Sequence, residues 1–397
     1  MTPGLRCGII ADIIMRIALA IQSLVLARGG AERFTRNLIR GLTARGHGLV
    51  VFCHDWDDQA AASGIELVRV PPPRPWRHPW PEFSRNVWAA IGGMQAFDVV
   101  FGLTQLWPQD VHRFGGGVYR YWYRRKYGML LPLQLLRPRI RGSLAFERAM
   151  YSPGNYRQLI AISDMDRRIV REQYGVPAER VHTVYNGFDQ EEFHPHGRAD
   201  ARDRLCAAHG LDPQSTIVLF AANNYVRKGL PQAVEALRRA PQPGKFTLVA
   251  IGKPDRAVRR RLDVRIGAAF RTVWLDRVDT PAEYYRGADM LLFPTLYDSF
   301  ANVIGEALLC GLPVITTRQA GGAEMVIHGE NGFVARDADA LRELTEYAVL
   351  LTDRGRCAAF SQRAPGNVAE LTIARCGEAT ERVLQLAHEE KLRNKKH

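Results

Sequence analysis

Two acidic side chains stand eight positions apart in the stretch YDSFANVIGEALLCGLPVI, residues 297–315. Glu306 belongs to an apolar run of small residues that predicts a helix, where an unpaired carboxylate would cost stability. Asp298 is a residue type that caps helices, so we expect a helix that begins near Phe300. The free amides of residues 300–303 would then bind an anion, whose charge the helix dipole favours.

Glu306 lies about two turns into this expected helix, near the opening of the expected anion site. A carboxylate accepts two hydrogen bonds at once, which suits the cis-diol of a ribose. A phosphate on the amides and a ribose on the glutamate together indicate a nucleotide diphosphate. The alternative is structural, with Asp298 as a helix cap and Glu306 exposed on the outer helix face. Spacing alone leaves both interpretations open.

Two cations follow a predicted strand at 217–222. Arg227 and Lys228 stand in the turn that directly follows this strand. They would therefore lie at the same carboxyl edge of the sheet as the loop of Asp298. Cations there can neutralise the charge that develops on a leaving diphosphate, which is a role in the transition state. A solvated basic helix start is the weaker interpretation, because cations at a helix N-terminus oppose its dipole.

Glycines mark two loops in the first half of the chain. Gly29 and Gly30 precede a helical pattern, but the run is not G-x-G-x-x-G, so the dinucleotide fingerprint is absent. Gly115–Gly117 stand just after His112 and Arg113, with Phe114 between them. Both loops allow the close approach of a phosphate or a sugar, and both would lie on the first domain's side of a cleft.

Metal chemistry has little support in the sequence. The run His54-Asp55-Trp56-Asp57-Asp58 contains D-x-D, but it follows a strand far from the phosphate features, which favours a polar loop. No H-E-x-x-H motif is present. We therefore expect no metal and no other cofactor.

Strand and helix patterns alternate along almost the whole chain, which predicts parallel sheets with crossover helices. One series begins with a strand at 16–22 and a helix at 31–45. A second series begins at 217–220, after a polar stretch at 190–214. We therefore expect two doubly wound α/β domains with a functional cleft between them.

Size and composition agree with this organisation. The chain has 397 residues, too many for one ordinary core, and it is 46% hydrophobic and 24% charged. No apolar stretch reaches the ~18 residues needed to span a bilayer. The six cysteines are scattered without a C-x-x-C motif, which favours reduced thiols in a cytoplasmic protein and argues against structural zinc.

The formal net charge of +13 is concentrated between residues 112 and 148, where aromatic residues are interleaved with arginines. Such a segment suits an anionic membrane or a phosphorylated acceptor. A solvated helix face is the alternative, and nucleic acid is disfavoured because no nucleic-acid module accompanies the segment. The cations that we assign to an acceptor or membrane surface are Arg113, Arg120, Arg124, Arg125 and Lys126.

Several spaced motifs, in this order, carry a resemblance to one enzyme family: Ala161-Ile162-Ser163-Asp164, Tyr174-Gly175-Val176-Pro177, Tyr185-Asn186-Gly187-Phe188-Asp189, Arg227-Lys228-Gly229, Asp298-x7-Glu306, Gly321-Gly322-Ala323-Glu324 and Asn331-Gly332-Phe333. From about residue 15 to its end, the chain resembles the retaining glycosyltransferases of family four. That family has the GT-B fold, in which two Rossmann-like domains face each other across a cleft. The run Ala145-Phe146-Glu147-Arg148-Ala149 looks like the lipopolysaccharide core glucosyltransferase I type, which is peripheral to the inner membrane.

The resemblance implies transfer of a hexose, with glucose from UDP-glucose as the first expectation, with retention and without a metal. Carried over by position, Glu306 binds the donor ribose and Asp298 holds hydroxyls of the donor sugar. Arg227 and Lys228 stabilise the leaving diphosphate, and His112 is the candidate near the reacting carbon. The implied donor-binding residues are Gly29, Gly30, Ser299, Phe300, Ala301, Asn302, Val303 and Glu306.

The expected partners are a nucleotide sugar, an anionic glycolipid acceptor such as the lipopolysaccharide core, and an anionic membrane, but no nucleic acid. The expected location is the cytoplasmic face of the inner membrane, as a monomer or weak dimer. The expected parts of the chain are an N-terminal extension (1–14), an acceptor-side domain (15–190), a linker (191–214), a nucleotide-sugar-binding domain (215–375) and a C-terminal helix that packs back on the first domain, with a basic tail (376–397).

Three positions depart from the family pattern. Asp298 stands where the family has Glu, Ala301 where it has Gly, and Ala222 where it often has Arg. We expect the Ala301 methyl group to be tolerated in an ordinary helical turn. Two alternatives stay open. A GT-B nucleotide-sugar epimerase would change the donor without an acceptor, and a non-catalytic scaffold that binds nucleotide sugar or membrane would not turn the donor over.

Overall fold

The computed structural model describes residues 14–25, 29–61, 65–74, 79–253 and 255–395. The expected N-terminal extension therefore lies almost wholly outside the described residues. So do the residues just before Gly29 and the end of the basic tail.

The first domain alternates strands and helices from its first element onward. Its elements are β1 (Arg16–Ala20), β2 (Ser23–Leu24), α1 (Gly29–Ala44), β3 (Gly48–Cys53), β4 (Asp55–Trp56), α2 (Asp58–Ala61), β5 (Glu66–Arg69), α3 (Pro79–Gly92), β6 (Val99–Gly102), β7 (Val111–Phe114), α4 (Tyr119–Tyr127), α5 (Leu131–Gln134), α6 (Pro138–Met150), β8 (Gln158–Ala161), α7 (Asp164–Tyr174) and β9 (Val181–Thr183).

Seven of these strands form one parallel sheet in the order β5-β3-β1-β6-β7-β8-β9. The central strands are buried on both faces, which explains why β1, β3 and β6 are almost continuous apolar runs. The change in strand order beside β1 creates the crevice at which ligands bind in doubly wound sheets.

The second domain has the same architecture. Its elements, with the helix that leads into it and those that follow it, are α8 (Arg198–His209), β10 (Thr216–Ala221), α9 (Leu230–Arg238), β11 (Phe246–Ile251), α10 (Arg256–Ile266), β12 (Arg271–Leu275), α11 (Pro281–Gly287), β13 (Met290–Phe293), α12 (Asn302–Leu309), β14 (Val314–Thr317), β15 (Gly332–Ala335), α13 (Leu341–Leu350), α14 (Arg354–Arg363) and α15 (Ile373–Lys395). Its six-stranded parallel sheet has the order β12-β11-β10-β13-β14-β15. The predicted fold class, two doubly wound α/β domains, is confirmed.

The last helix, α15, packs on the first domain, against α1 and the strands β6 and β8. Its Glu381 accepts a hydrogen bond from the His47 ring at 3.0 Å. Near its end, Lys391 Nζ donates to Asp110 Oδ2 at 2.9 Å. The chain therefore crosses between the domains twice, and its end ties the second domain back to the first.

The sequence patterns did not predict β7, although this strand proves important. Its four residues are Val111, His112, Arg113 and Phe114, all buried. Because two of the four are polar, the strand has no apolar run and no clean alternation. Its pairing with β6 and β8 is what makes it a strand.

Candidate active site

A deep cleft separates the carboxyl ends of the two sheets. Its volume is about 1530 Å³, and both domains line it. The first domain contributes residues 21–23, 34–36, 103–105 and 112–117, and the second contributes 221–223, 251–253, 276–279, 298, 300–303 and 306. The carboxyl ends of parallel strands lie at one edge of a sheet, which is why loops far apart in sequence meet in the cleft.

Asp298 and Lys228 form an ion pair inside the cleft. Their side chains are only 17% and 14% exposed. Burial works to raise the pKa of Asp298, but the adjacent Lys228 ammonium outweighs it and holds that pKa below its usual value. Burial lowers the pKa of Lys228, and the adjacent Asp298 carboxylate opposes that shift. The pair presents both side chains to a ligand in the cleft.

The turn that carries Lys228 fits tightly against the end of β13. Gly229 has φ +85°, and a Cβ atom there would lie 1.8 Å from the carbonyl oxygen of Pro294. Only glycine allows both the left-handed backbone and this close approach. The glycine thus fixes the position of Lys228 relative to the loop of Asp298.

Helix α12 begins at Asn302, two residues later than the sequence predicted. Asp298 Oδ1 accepts hydrogen bonds from the amides of Phe300 (3.3 Å) and Ala301 (3.1 Å), so these two amides are not free. The expectation of four free amides at 300–303 is wrong for the first two. The amides of Asn302 and Val303, in the first turn of α12, are the helix donors left to meet an anion at the cleft.

Ala301 does not occupy an ordinary helical turn, which corrects our expectation. Its φ is +63°, and it is the one non-glycine residue with positive φ in the described part of the chain. With this left-handed conformation, the loop brings the amides of Phe300 and Ala301 to Asp298 Oδ1 just before α12 begins. Glycine is favoured there because it adopts this backbone without strain.

Glu306 lies in the second turn of α12 and lines the cleft. It is 7% exposed, and its Oε2 accepts a hydrogen bond from the Tyr285 hydroxyl at 2.9 Å. The alternative in which Glu306 sits on an exposed outer helix face is therefore wrong. Phe300 also lines the cleft, whereas Ser299 is buried against the first domain beside Gly117.

Arg227 and Lys228 are adjacent in sequence but diverge in space. Lys228 lines the cleft, while the Arg227 guanidinium lies 6.0 Å from the ring of Trp122 on α4. Arg227 Nε is buried and has no hydrogen-bond partner among the described residues. Gly29 and Gly30 form the first two residues of α1. Their predicted contact with donor phosphates stays a prediction.

His112 and Arg113, from β7, belong to the wall that the first domain contributes to the cleft. His112 is 2% exposed, and burial lowers its pKa to about 3, so the ring is neutral. Its Nδ1 has no hydrogen-bond partner within the described ranges. A neutral imidazole with a free nitrogen in the cleft can bond to a substrate hydroxyl.

The basic surface that the sequence predicted divides into three groups. Arg113 is buried, so its place on an outer surface is wrong. Arg125 is partly buried and bonds to the second domain, to the Leu296 carbonyl (3.0 Å) and to Asp337 (2.7 Å), and its assignment to an acceptor or membrane surface stays a prediction. Arg120 is partly buried, and Arg124 and Lys126 remain exposed.

Sequence reasoning missed Glu147 as a member of the cleft. Its carboxylate accepts hydrogen bonds from the amides of Tyr119 (2.6 Å) and Arg120 (2.9 Å), and from the Tyr174 hydroxyl. Burial raises its pKa to about 7. The signal was present in the sequence, because Glu147 is the one acid in a segment of arginines. It holds the N-terminus of α4 against α6 and α7.

Two features bear on metals and membranes. Among the described residues, no three His, Cys, Asp or Glu side chains come together in a way that could hold a metal ion. Asp57, in the D-x-D run, accepts a hydrogen bond from the amide of Ala60 at the start of α2. His194 and His196 form an H-x-H pair whose ring centroids lie 5.3 Å apart. Within the described ranges, no helix has the length and apolar character needed to cross a bilayer.

Comparison with known families agrees with this geometry. The model of the family described as Glycosyltransferase Family 4 matches residues 28–192, and that of Glycosyl transferases group 1 matches residues 215–353. Together the two matches cover well over half of the chain, one on each side of the cleft. The chain belongs to the group 1, family 4 glycosyltransferases. The predicted family is confirmed.

Individual relatives of this glycosyltransferase support the same conclusion. The lipopolysaccharide glucosyltransferase WaaG of Escherichia coli K12 is 23% identical over 332 residues, which are 80% of this chain and 84% of that protein. D-inositol 3-phosphate glycosyltransferase 2 of Catenulispora acidiphila is 30% identical over 236 residues, 56% of this chain. The chain spans about half the length (54%) of this second relative.

Two solved structures show the same fold. The crystal structure of WaaG has a TM-score of 0.81 at 22% identity, covering 93% of this chain and 99% of that one. The structure of Anabaena Alr3699/HepE in complex with UDP and glucose has a TM-score of 0.70 at 18% identity, covering 94% of this chain and 99% of that one. The fold of this glycosyltransferase is therefore GT-B.

Proposed function

We propose that this chain is a retaining, metal-independent hexosyltransferase that moves glucose from UDP-glucose to an anionic glycolipid acceptor of the lipopolysaccharide core type. The observation that carries the proposal is the group formed by Lys228, Asp298 and the first turn of α12 at one end of the cleft. The names of WaaG and of the UDP-bound HepE supply the expected acceptor and donor.

Each residue of this group has a distinct proposed part. Glu306, held by Tyr285, accepts hydrogen bonds from the ribose diol. The amides of Asn302 and Val303 hold the distal phosphate, with the helix dipole behind them. Lys228 stabilises the charge that grows on this phosphate as the bond to the sugar breaks. Asp298 keeps Lys228 in place and binds hydroxyls of the sugar.

The reaction needs no covalent intermediate. The acceptor oxygen attacks the anomeric carbon on the face from which the diphosphate departs, and the departing phosphate oxygen takes the acceptor's proton. The configuration at carbon is thereby retained. Neutral His112, from β7, would contact the sugar or the incoming hydroxyl through Nδ1. The two carboxylates then serve recognition, unlike the catalytic pairs of glycosidases.

Alanine variants of the donor group test this function. We expect Lys228→Ala to lower kcat about 100- to 1,000-fold, because a charge that stabilises the transition state is lost. Glu306→Ala should raise the KM for the donor by weakening its binding. Transfer from UDP-, GDP- and ADP-sugars to lipopolysaccharide core and inositol phosphate acceptors would be measured, together with circular dichroism of each variant. Arg204→Ala, on the exposed face of α8, is the control.

The same assay separates the alternatives. Full activity of Lys228→Ala and Glu306→Ala would overturn the proposed function. A change in the donor sugar without acceptor would identify an epimerase, and donor binding without any turnover would identify a scaffold. Loss of activity on adding a chelator would contradict the metal-independent mechanism.

We further propose that the protein binds the cytoplasmic face of the inner membrane peripherally. The supporting feature is an apolar tip, defined here as Met129, Leu130, Leu133 and Leu136, which are 97%, 60%, 62% and 77% exposed. Exposed cations surround it in sequence: Arg124, Lys126, Arg137, Arg139 and Arg141. Apolar side chains that enter a bilayer below a ring of cations suit an anionic membrane surface.

A further inference from the structure

Arg113 is a buried cation for which the described part of the chain offers no acidic partner. It is 5% exposed, and its guanidinium lies over the Phe34 ring at 3.7 Å. Its one hydrogen bond to another side chain runs from Nη2 to the amide oxygen of Asn186. Its Nε has no hydrogen-bond partner among the described residues. Burial lowers its pKa to about 10, so the group keeps its charge at neutral pH.

Three other buried or half-buried arginines of this protein have acidic or backbone partners. Arg157 pairs with Asp110 at 2.9 Å, and Arg202 makes two bonds of 2.8 Å to Asp289. Arg198 donates to three backbone carbonyl oxygens. A buried charge without such partners is costly, and proteins retain one where a ligand completes its surroundings. Arg113 has no such partner among the described residues. It is also more deeply buried than Arg36, Arg167 and Arg227, whose Nε atoms are unpaired there as well.

Arg113 lies on the wall of the cleft that also contains the start of α12. It lines the cleft next to His112. Asn186, which accepts from Arg113, donates from its Nδ2 to Asn302 Oδ1 at 2.7 Å. Two hydrogen bonds thus connect the guanidinium to the first residue of α12, whose free amides face the same cavity. The guanidinium and the start of α12 therefore line one cavity and are joined through Asn186.

Lys228, the cation of the cleft that lies beside the Asp298 loop, already has an acidic partner. Lys228 is paired with Asp298, so the pair brings no net charge to the cleft. A diphosphate carries at least two negative charges, which this neutral pair does not balance. The other lysines and arginines that line the cleft are Arg36, Arg113, Lys253 and Arg277. Among the described cations that line the cleft, Arg113 alone is almost completely buried without an acid beside it.

We infer that Arg113 binds a phosphate group of the substrate through its free guanidinium edge. The inference rests on the proposed function, since it assigns one residue to the phosphate chemistry of that site. Two substrates can supply the phosphate: the donor diphosphate at the start of α12, and a phosphorylated acceptor on the first domain's side. Arginine suits either source, because its planar fork bonds two phosphate oxygens at once.

The test uses Arg113→Met, whose side chain keeps the packing on Phe34 but has no charge. Binding of UDP and of uridine would be measured by calorimetry on the full chain, with ADP and GDP alongside. We expect UDP to bind roughly 10- to 100-fold more weakly while uridine binding is unchanged, if the donor supplies the phosphate. If the acceptor supplies it, the KM for a phosphorylated acceptor rises by the same factor, and that for its dephosphorylated form does not.

Two further variants keep the result interpretable. Arg113→Lys retains a buried cation and the fold, and we expect it to lose part of the affinity, since one donor replaces the fork. Arg157→Met removes a half-buried arginine away from the cleft, and its UDP affinity should match the wild type. Equal UDP affinity and equal acceptor KM in wild type and both Arg113 variants would overturn the inference alone. A wild-type chain that binds no nucleotide diphosphate would overturn it together with the proposed function.

Discussion

At the scale of single residues, Ala301 is the position where the local backbone and the residue type disagree most. Its φ of +63° is a conformation that costs a residue with a Cβ about 1–2 kcal/mol. Asp298, three positions earlier, bonds to the Ala301 amide at 3.1 Å and keeps the loop in this shape. The strain therefore lies beside the charged pair that the proposed mechanism uses.

Substitutions at Ala301 should reveal this strain. We expect Ala301→Gly to change the free energy of unfolding by less than about 1 kcal/mol, because relief of strain offsets the greater freedom of glycine in the unfolded chain. Ala301→Val should destabilise by about 2 kcal/mol or more, since a β-branched residue is a severe outlier at positive φ. Urea unfolding measures both.

The matched control is Ala145→Val on the exposed face of α6, where the backbone is helical. That change should cost about 0.5 kcal/mol, from helix propensity alone. Equal destabilisation by the two valine variants would show that the backbone at Ala301 is not strained.

At the scale of elements, the segment from α4 to α6 combines two roles. Its start is anchored in the cleft, because Glu147 on α6 holds the first amides of α4. Its middle carries the apolar tip away from the domain. The segment from α4 to α6 therefore connects the proposed membrane contact to the wall of the cleft, where a lipid-linked acceptor would arrive.

Introducing negative charge into the apolar tip tests the membrane contact. We expect Leu133→Glu with Leu136→Glu to lower the partition coefficient on vesicles of phosphatidylglycerol and phosphatidylcholine at least about tenfold. The reason is that each buried leucine side chain contributes about 1.5–3 kcal/mol and each added carboxylate repels the anionic surface. Cosedimentation measures the bound fraction.

The control for the tip is Val264→Glu, an exposed apolar residue on α10 of the second domain. It should bind vesicles like the wild type, and both variants should transfer sugar to a soluble acceptor at the wild-type rate. Unchanged vesicle binding of the tip variant would count against the membrane contact.

At the scale of the whole molecule, a buried hydrogen-bond chain joins the two domains. The Tyr297 hydroxyl of the second domain accepts from the Val118 amide and donates to Asp166 Oδ1, both at 2.8 Å. Nearby, the Glu324 carboxylate accepts from the amides of Asp164 (3.0 Å) and Met165 (2.7 Å) at the start of α7. These bonds hold the cleft in the form described here.

Asp166 makes the stability of this arrangement dependent on pH. Burial raises its pKa from 3.8 to about 7, although Tyr297 and Ser299 oppose the shift. Between about pH 4 and pH 7 the folded state therefore keeps a proton that the unfolded state has released. Stability must then fall as the pH rises through this window, by up to about 4 kcal/mol from this residue.

Asp166→Asn should remove much of this dependence. The amide keeps an oxygen for Tyr297 but cannot lose a proton, so we expect a higher urea midpoint than the wild type at pH 8 and a smaller difference at pH 5. Some slope should remain, because burial also raises the pKa of Glu147 to about 7. Asp203→Asn, on exposed α8, should follow the wild-type profile. A parallel profile for Asp166→Asn would contradict the shifted pKa.

The sequence by itself determined the alternation of strands and helices, the two doubly wound domains and the family. These follow from local patterns, since apolar periodicity and turn residues act over a few positions. For Glu306 the local pattern left a cleft position and an exposed helix face open, and the resemblance to the family favoured the cleft. The start of α12 was placed two residues early, since the Asp298 loop and the left-handed Ala301 have no signal in residue type.

Only the tertiary structure decided which side chains meet. Lys228 and Asp298 are 70 positions apart, and Arg125 and Asp337 are 212 apart. Their contacts depend on how two sheets face each other, which no local pattern encodes. For the same reason β7 became a strand by pairing with its neighbours, and Arg113 became a buried cation in the cleft instead of part of a basic surface.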